Sequence, residues 1–253
     1  MSCITIRNCC IGEGKPNVII PIVEHTEAAI LQKAAEFSTL SADCVEWRVD
    51  LFELAKDLRA VAHCAAKLRV ALKNKLLLVT FRTKSEGGSA ALSREEYIRF
   101  IHTVLATDCV DLIDIEFFTA GADLPGLIED AHTAGVKVVC SSHDFHKTPP
   151  CAELVSRMTA MQEAGADLPK LAVMPTCRAD VIALLAATAE MADHHPETPV
   201  ITMSMGTLGA VSRLCGEAFG SAMTFANPGA ASAPGQVPLD VVNEVLESLH
   251  AER

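Results

Sequence analysis

The chain has 253 residues, 50% of them hydrophobic and 21% charged, which is typical of a globular protein with a sizeable core. Its net charge of −11 argues against binding to nucleic acid or to an anionic membrane surface, because both require a basic surface. No apolar run approaches the roughly 20 residues of a membrane span. The N-terminal "MSCITIRNCC" also lacks the apolar core of a signal peptide, so we expect a cytoplasmic protein.

The predicted elements begin with a small β-hairpin over residues 1–15, where the pattern alternates on either side of Asn8. Short apolar runs then alternate with longer amphipathic stretches to the end of the chain. The eight predicted strands are 17–23, 44–50, 76–82, 111–118, 136–143, 170–175, 199–205 and 221–226. The clearest predicted helices are 26–37, 93–106, 178–192 and 238–250, and Ser93 and Glu96 have the spacing of a capping box.

Eight strand–helix units in a chain of this length predict an α/β fold, a (β/α)8 TIM barrel forming one domain over residues 1–253. We expect the hairpin of residues 1–15 to close the bottom of the barrel. A doubly wound open sheet would give the same local rhythm and is the alternative.

Charged residues at alternate strand positions favour the barrel. Glu46 and Arg48 face away from their apolar strand neighbours, and Arg82, Asp114 and Glu116 do the same in the next two strands. A barrel can turn such a face towards its axis, whereas an open sheet has helices on both faces. The charges come late in their strands, near the rim where barrel active sites lie. The alternative is a structural charge network, such as Glu46–Arg48 or Arg82–Glu86, that fills the barrel.

Ten cysteines include no C-x-x-C pair and stand mostly in apolar stretches. We therefore expect reduced structural thiols, with Cys9 and Cys10 the most open to oxidation.

The segment "SSHDFHKTPP" (141–150) follows the fifth predicted strand and carries His143 and His146. A histidine at the rim suits general acid–base catalysis, because its ordinary pKa lies near neutral pH. The H-x-x-H pair could instead suggest a metal, but no other histidine or cysteine ends a strand to complete the ligand set. We therefore expect no metal.

Lys170 leads into the predicted strand 170–175 and would be buried there. A buried lysine beside other cations is freed for attack on a carbonyl carbon. We expect Arg48, Arg82 and Arg213 to supply the positive field and to bind an anionic substrate. The alternative is a buried ion pair of Lys170 with Asp114 or Glu116.

The Gly/Pro/Ala/Ser segment 231–237 follows the last predicted strand. Such a segment could fold over a site at the rim and exclude water, or be a plain surface loop.

Seven segments, in order, resemble the type I 3-dehydroquinate dehydratase family. They are "EWRVD" (46–50), "TFRTKSEGG" (80–88), "SSHDFHKTP" (141–149), "PKLAVMP" (169–175), "TMSMGTLGAVSR" (202–213), "FGSAMTFA" (219–226) and "SAPGQ" (232–236). The resemblance runs from the hairpin to the last helix. It implies a barrel, usually a homodimer, that converts 3-dehydroquinate to 3-dehydroshikimate and water in the shikimate pathway. The substrate would be its only small-molecule partner, with no cofactor and no metal.

The resemblance also implies residue roles. Lys170 would form an imine with the C3 ketone, His143 would remove a C2 proton and later protonate the leaving C1 hydroxyl, and Glu86 would orient His143. The implied substrate contacts are Glu46, Arg48 and Arg82 to the ring hydroxyls and Arg213, Ser232 and Gln236 to the carboxylate. Pro21 departs from the pattern, since some relatives carry a serine there that contacts substrate.

Two other functions remain open at this level. A class I aldolase-like barrel would use Lys170 to cleave a carbon–carbon bond. A catalytically silent barrel would serve as a binding module.

Overall fold

The computed structural model describes residues 3–229 and 233–250. A hairpin of β1 (Ile4–Ile6) and β2 (Cys9–Ile11) comes first. The strands that follow are β3 (Asn17–Ile22), β4 (Cys44–Arg48), β5 (Leu76–Thr80), β6 (Leu112–Glu116), β7 (Lys137–Asp144), β8 (Leu168–Val173), β9 (Ile201–Ser204), β10 (Met223–Asn227) and the short β11 (Val237–Pro238).

Strands β3 to β10 form the predicted barrel. They pair in parallel and in chain order from β3 to β9, and β10 pairs with β3 in the register Phe225–Ile19. Between β9 and β10 the circle closes at the bridge of Val200 and Ser221, where the Ala222 N–H donates to the Val200 carbonyl at 2.8 Å. Because an open sheet would leave both edges unpaired, this closure confirms the barrel over the doubly wound alternative.

Helices occupy the connections between the strands. They are α1 (Glu27–Phe37), α2 (Leu58–Leu72), α3 (Arg94–Leu105), α4 (Phe117–Ala120), α5 (Leu124–Thr133), α6 (Cys151–Glu163), α7 (Arg178–His194), α8 (Gly206–Gly209), α9 (Gly216–Phe219) and α10 (Leu239–Leu249). The predicted capping box is present at α3, where Ser93 and Glu96 each accept the other's backbone N–H. None of the described helices is both long and apolar enough to cross a membrane.

The alternation within the strands separates two apolar cores. Val45, Trp47 and Val79 point outward and pack in the core beneath the helices, as predicted. A second core fills the lower barrel, and fully buried Ile11 of the hairpin packs in it beside residues such as Ile19. The hairpin therefore closes the bottom of the barrel, as predicted.

The hairpin also contains a disulfide between Cys3 and Cys10. The prediction of reduced cysteines is wrong for this pair: Cys3, directly before β1, reaches Cys10 of β2 diagonally across the hairpin. The described cysteines outside it are free.

Several strand boundaries differ from the sequence prediction by one or two residues. Strand β4 ends at Arg48, because a 3-10 turn begins at Val49, and Phe117 and Phe118 start α4 rather than finish β6. Strand β8 begins two residues early, so Lys170 is its third residue. Pro169 lacks an N–H and therefore resembles a strand boundary in sequence, yet it pairs in register with Cys140.

One side-chain hydrogen bond repeats four times at the lower end of the barrel. An acceptor just before β4, β6, β8 or β10 takes the N–H of the second residue of the preceding strand. The pairs are Asp43 with Val18, Asp111 with Leu77, Asp167 with Val138 and Ser221 with Thr202, at 2.7, 2.8, 2.9 and 3.1 Å. The repeat fixes the register of alternate strands and so the heights of the side chains at the upper rim.

Candidate active site

A pocket of about 650 Å³, including its open mouth, lies at the carboxyl-terminal end of the barrel. It brings together every described residue that the sequence predicted for the site, namely Glu46, Arg48, Arg82, Glu86, His143, Lys170, Arg213 and Gln236. Ser232 is outside the described residues. The lining also contains residues without a predicted role: Gly87, Phe145, Ala172, Met203, Met205, Phe225 and Ala233.

Lys170 lies deep in the pocket with 3% of its surface exposed. Its Nζ is 3.2 Å from Asp114 Oδ2 and 4.6 Å from the centre of the Phe225 ring. On neighbouring β7 and β8, Ser141 is in register with Lys170 and His143 with Ala172. Lys170 is thus two residues below His143 on the inward face, about 6.6 Å at the rise of a strand. The small Ala172 side chain fills little of the space above the lysine.

The predicted positive field around Lys170 is only partly present. Arg48 forms a two-point ion pair with Asp50 at 2.8 and 2.9 Å, and Arg82 pairs with carboxylates of β6. Burial lowers the pKa of Arg48, but the hydrogen bonds and charge of Asp50 outweigh it and raise the pKa above its usual value. Of the alternatives named from the sequence, the Arg82–Glu86 contact at 3.4 Å and the Lys170–Asp114 pair are present, whereas Arg48 pairs with Asp50 rather than with Glu46. The convergence of carboxylates on the axis neutralises these two arginines.

Arg82 is the centre of the buried charge network. Its Nη2 donates to Asp114 Oδ2 at 2.8 Å, and its Nη1 donates to Glu116 Oε1 at 2.8 Å and to Ser141 Oγ at 2.9 Å. Burial lowers the pKa of Arg82, but Asp114, Glu116 and then Glu86 more than compensate and hold it above its usual value. Most of the guanidinium's hydrogen-bonding capacity is therefore used within the protein.

His143 and Glu86 form a close pair at the rim. Glu86 Oε2 accepts the backbone N–H of His143 at 3.0 Å and lies 2.9 Å from its Nδ1. Burial raises the pKa of Glu86 to about 8, with Arg82 opposing and the charges of β6 adding to the rise. Burial, followed by the charges of Arg82, Lys170 and Arg48, holds the pKa of His143 well below its usual value. His143 is therefore a neutral imidazole that can accept a proton.

Packing fixes the plane of the His143 ring. Phe145 is stacked on it with a centroid distance of 6.4 Å and an interplanar angle of 18°. Gly87 lies beneath Phe145 in a left-handed conformation (φ +84°), and a Cβ there would be 2.3 Å from the phenyl ring. Only glycine fits at position 87 without moving the ring.

Arg213 differs from the other two arginines. It is 1% exposed, and none of the described carboxylates forms an ion pair with it. Its Nη1 lies 3.5 Å from Met203 Sδ and its Nη2 donates to the Pro234 carbonyl at 3.3 Å, while Nε has no hydrogen-bond partner among the described residues. Burial lowers the pKa of Arg213 to about 10. A buried guanidinium of this kind is suited to an anionic group of a ligand.

Glu46 completes the polar side of the pocket. It is 4% exposed and accepts a hydrogen bond from Thr80 Oγ1 at 2.9 Å. The opposite, apolar side consists of Met203, Met205 and Phe225. We did not predict these three from the sequence, although strand alternation sets Met203 on the inward face of β9, with Met205 directly after the strand.

Metal-binding geometry is found at one place among the described residues. Cys3, Cys10 and Glu13 lie close enough to share an ion, but they belong to the hairpin, and the two cysteines form a disulfide. In the pocket, His143 is engaged with Glu86, whereas His146 is exposed at the surface.

Comparison with known proteins agrees with this site. The family model of the type I 3-dehydroquinases matches residues 18–253. The 3-dehydroquinate dehydratase of Bacillus subtilis (strain 168) is 46% identical over 250 residues, 99% of this chain and 98% of the relative. That of Clostridium kluyveri (strain ATCC 8527) is 45% identical over 253 residues, covering 100% and 99%.

Solved structures give the same result. The crystal structure of type I 3-dehydroquinate dehydratase from Clostridium difficile, with covalently modified comenic acid, has a TM-score of 0.95 and 43% identity, covering 98% of each chain. The enzyme from Geobacillus kaustophilus has a TM-score of 0.94 and 36% identity, covering 98% of this chain and 96% of the other. The chain belongs to the type I 3-dehydroquinase family.

Proposed function

We propose that this protein dehydrates 3-dehydroquinate to 3-dehydroshikimate in the shikimate pathway, through an imine on Lys170 with His143 as general acid and base. The observation that carries the proposal is one pocket in which Lys170 lies below His143 on adjacent strands, beside a buried Arg213 that forms no ion pair with a described carboxylate. The relatives that bear this enzyme's name support the substrate.

The pocket matches the functional groups of 3-dehydroquinate, a ring with a carboxylate, a ketone and hydroxyl groups. Arg213 would bind the carboxylate, with Gln236 beside it and Ser232 as a further predicted contact. Glu46 and Arg48 would bind ring hydroxyls, and Arg82 would do so from the edge of its network. The apolar side would exclude water from the reacting face.

Imine formation begins when Lys170 gives up its proton and attacks the C3 carbonyl carbon. The carbinolamine then loses water and leaves an iminium cation on the same nitrogen. Asp114, 3.2 Å from Nζ, would stabilise positive charge at this position both before and after the reaction. The Phe225 ring would do so as well, because its face attracts cations.

Proton transfer follows from the iminium, which acidifies the C2 hydrogens. With Glu86 ionised, His143 Nδ1 donates to it and Nε2 is the basic nitrogen that accepts the C2 proton. The electron pair left at C2 moves into the iminium as an enamine. As the enamine returns its electrons, the C1–O bond breaks and the imidazolium protonates the leaving hydroxyl, releasing water. Hydrolysis of the product iminium then restores Lys170.

Two measurements on the wild-type protein test the proposal. With 3-dehydroquinate, the absorbance of the conjugated enone product should rise, and borohydride should trap the substrate on Lys170, located by peptide mass spectrometry. In Lys170→Ala both signals should disappear, whereas replacement of half-exposed Lys33 of α1 by alanine should change neither. Turnover without an adduct on Lys170 would contradict the imine mechanism. An adduct with aldol substrates but no reaction with 3-dehydroquinate would favour the aldolase-like alternative.

The homodimer inferred from the family resemblance remains a prediction. Light scattering coupled to size-exclusion chromatography should give about twice the chain mass of 26.9 kDa. A monomer mass at working enzyme concentration would contradict it.

A further inference from the structure

The buried charge network contains more carboxylates than Arg82 can neutralise. Three carboxylates, those of Glu86, Asp114 and Glu116, lie within 3.4 Å of its guanidinium. Asp114 accepts its hydrogen bond from a different nitrogen of Arg82, Nη2. The two hydrogens on Nη1 are left for three acceptors, namely Glu116 Oε1 at 2.8 Å, Ser141 Oγ at 2.9 Å and Glu86 Oε2 at 3.4 Å.

The distances show which acceptor loses this competition. Glu116 and Ser141 lie at ordinary hydrogen-bond length and use both hydrogens, whereas Glu86 is 0.5 Å or more further away. The other oxygen of Glu86, Oε1, is buried with no hydrogen-bond partner among the described residues. Glu86 therefore depends on His143 for its short hydrogen bonds.

Glu116 accepts more hydrogen bonds than Ser141 or Glu86, the other two acceptors near Arg82 Nη1. Its oxygens accept from Arg82, from the Thr83 N–H at 2.8 Å, and from the hydroxyls of Thr83 and Thr119, both at 2.6 Å. Four donors leave it fully satisfied as a carboxylate without any contribution from the pocket. It touches no reacting atom, so any effect on catalysis must act through Arg82 or through its own charge at Glu86.

We propose that Glu116 is a positioning residue: together with Ser141 it occupies both hydrogens of Arg82 Nη1 and so prevents Arg82 from neutralising Glu86. Glu86 then keeps its proton at neutral pH, and the pair reaches the form that the proposed mechanism uses when Glu86 ionises. The raised pKa of Glu86, about 8, agrees with this arrangement, since burial is its first cause and the negative charge of Glu116 adds to it. The inference rests on the acid–base roles proposed above for His143 and Glu86.

Other charged or titratable groups face Glu86, and none of them is replaced in the variants whose midpoints are compared below. They come from its own loop, from β6, β7 and β8, and from β4 across the pocket: Arg82, Asp114, His143, Lys170, Glu46 and Arg48.

The test is the pH profile of kcat/KM for 3-dehydroquinate, which reports groups of the free enzyme. In the wild type the activity should rise with pH around a midpoint near 8, as Glu86 ionises. Glu116→Gln keeps the shape but removes the charge, which weakens the hydrogen bond from Arg82 Nη1 and leaves more of the guanidinium charge to Glu86. The midpoint should fall by about one pH unit, the effect of one charge-assisted hydrogen bond.

A second variant and a control keep the result interpretable. Ser141→Ala removes the other short acceptor and should shift the midpoint in the same direction, even if Glu116→Gln fails to fold. Asp111→Asn removes another buried carboxylate, at the opposite end of the barrel, and should leave the midpoint unchanged. Nitrogen-15 NMR of His143 across the same pH range should show the same shifts without substrate.

The outcomes separate this inference from the proposed function. A midpoint that stays near 8 in both Glu116→Gln and Ser141→Ala, in an enzyme that His143→Ala inactivates, would overturn the role of Glu116 alone. A wild type without dehydratase turnover would overturn the proposed function. In that case the NMR titration would still decide whether Glu116 controls the pair.

Discussion

At the scale of single residues, the site separates what sequence can and cannot predict. Strand alternation correctly turned Glu46, Arg48, Arg82 and Asp114 towards the barrel axis, because side-chain direction is a local property. Their pairing was predictable only in part: Arg82–Glu86 and Lys170–Asp114 were among the alternatives, but the other partners depend on which strands converge at one height. Arg82 follows β5, yet its partners come from β6 and β7. Likewise, nothing local distinguishes Arg213 from its paired neighbours.

His143→Ala should separate imine formation from proton transfer. Without the imidazole, the C2 proton has no base within the pair, but Lys170 is untouched. We expect kcat to fall by roughly 100-fold or more, while borohydride still traps substrate on Lys170. Stopped-flow enone absorbance and intact-protein mass spectrometry measure the two effects. An unchanged kcat would remove His143 from its proposed role.

Gly87→Ala should impair His143 through Phe145. A Cβ at position 87 would be 2.3 Å from the phenyl ring that stacks on His143, so the ring must move. We expect kcat to fall and stability to drop by about 1 kcal/mol from the left-handed backbone. The matched control is Gly135→Ala, which has a similar φ of +74° and no atom within 4 Å of its added Cβ. It should lose stability but keep kcat; equal kcat in the two variants would contradict a role for the stack.

At the scale of elements, strand cores were predictable and their ends were not. The eight runs of apolar residues correspond to the eight barrel strands, because burial on both faces selects β-branched and aliphatic residues. The ends at Arg48 and Glu116 depend on tertiary contacts. Asp50, for example, leaves the strand and accepts the Arg82 N–H at 3.2 Å. The side-chain hydrogen bond that Asp43, Asp111, Asp167 and Ser221 each accept at the lower end of the barrel could also be recognised only in the structure.

Among these four hydrogen-bond acceptors, Asp111 should contribute most to the free energy of unfolding. Its carboxylate accepts the Leu77 N–H and pairs with Arg69 at 2.6 Å and with Arg7 of the hairpin turn at 2.5 Å. Asp111→Ala leaves the buried Leu77 N–H without its acceptor and Arg69 without its carboxylate, so we expect a loss of roughly 3–5 kcal/mol in the free energy of unfolding. Ser221→Ala removes one neutral hydrogen bond and should cost about 1 kcal/mol. Urea unfolding measures both, and equal losses would show that the charges at Asp111 contribute nothing.

At the scale of the whole molecule, the two ends of the barrel have opposite tasks. The lower end is closed by the hairpin and packed with apolar side chains. Its Asp43 and Asp111 carboxylates accept hydrogen bonds from strand N–H groups. The upper end holds a buried cluster of carboxylates, together with an oxygen of Glu86 and a nitrogen of Arg213 that have no hydrogen-bond partner among the described residues. Because each of these features costs stability, the chemistry proposed for the pocket should be measurable as a stability deficit.

Glu86→Gln is expected to stabilise the fold while it impairs catalysis. The pKa of Glu86 is raised from 4.5 to about 8 in the folded protein, so the folded state holds a proton that the unfolded chain releases between these values. The stabilisation of the folded state by protonated Glu86 is therefore complete below pH 4.5 and is lost as the pH rises through 8. Glutamine does not titrate, so the melting temperature of Glu86→Gln should exceed that of the wild type increasingly over this window. At pH 9 the excess should be roughly 3 °C or more, about 1 kcal/mol for a chain of this length.

The matched control for this variant is Glu153→Gln, which alters an exposed carboxylate and should change neither melting nor turnover. Differential scanning calorimetry from pH 5 to 9, with kcat/KM at each pH, measures both quantities. A Glu86→Gln protein that melts at or below the wild-type temperature at pH 9 would show that the folded state already compensates the Glu86 charge. Arg82 would then neutralise Glu86 as well as it neutralises Glu116. The competition for the two hydrogens of its Nη1 would have no effect on stability.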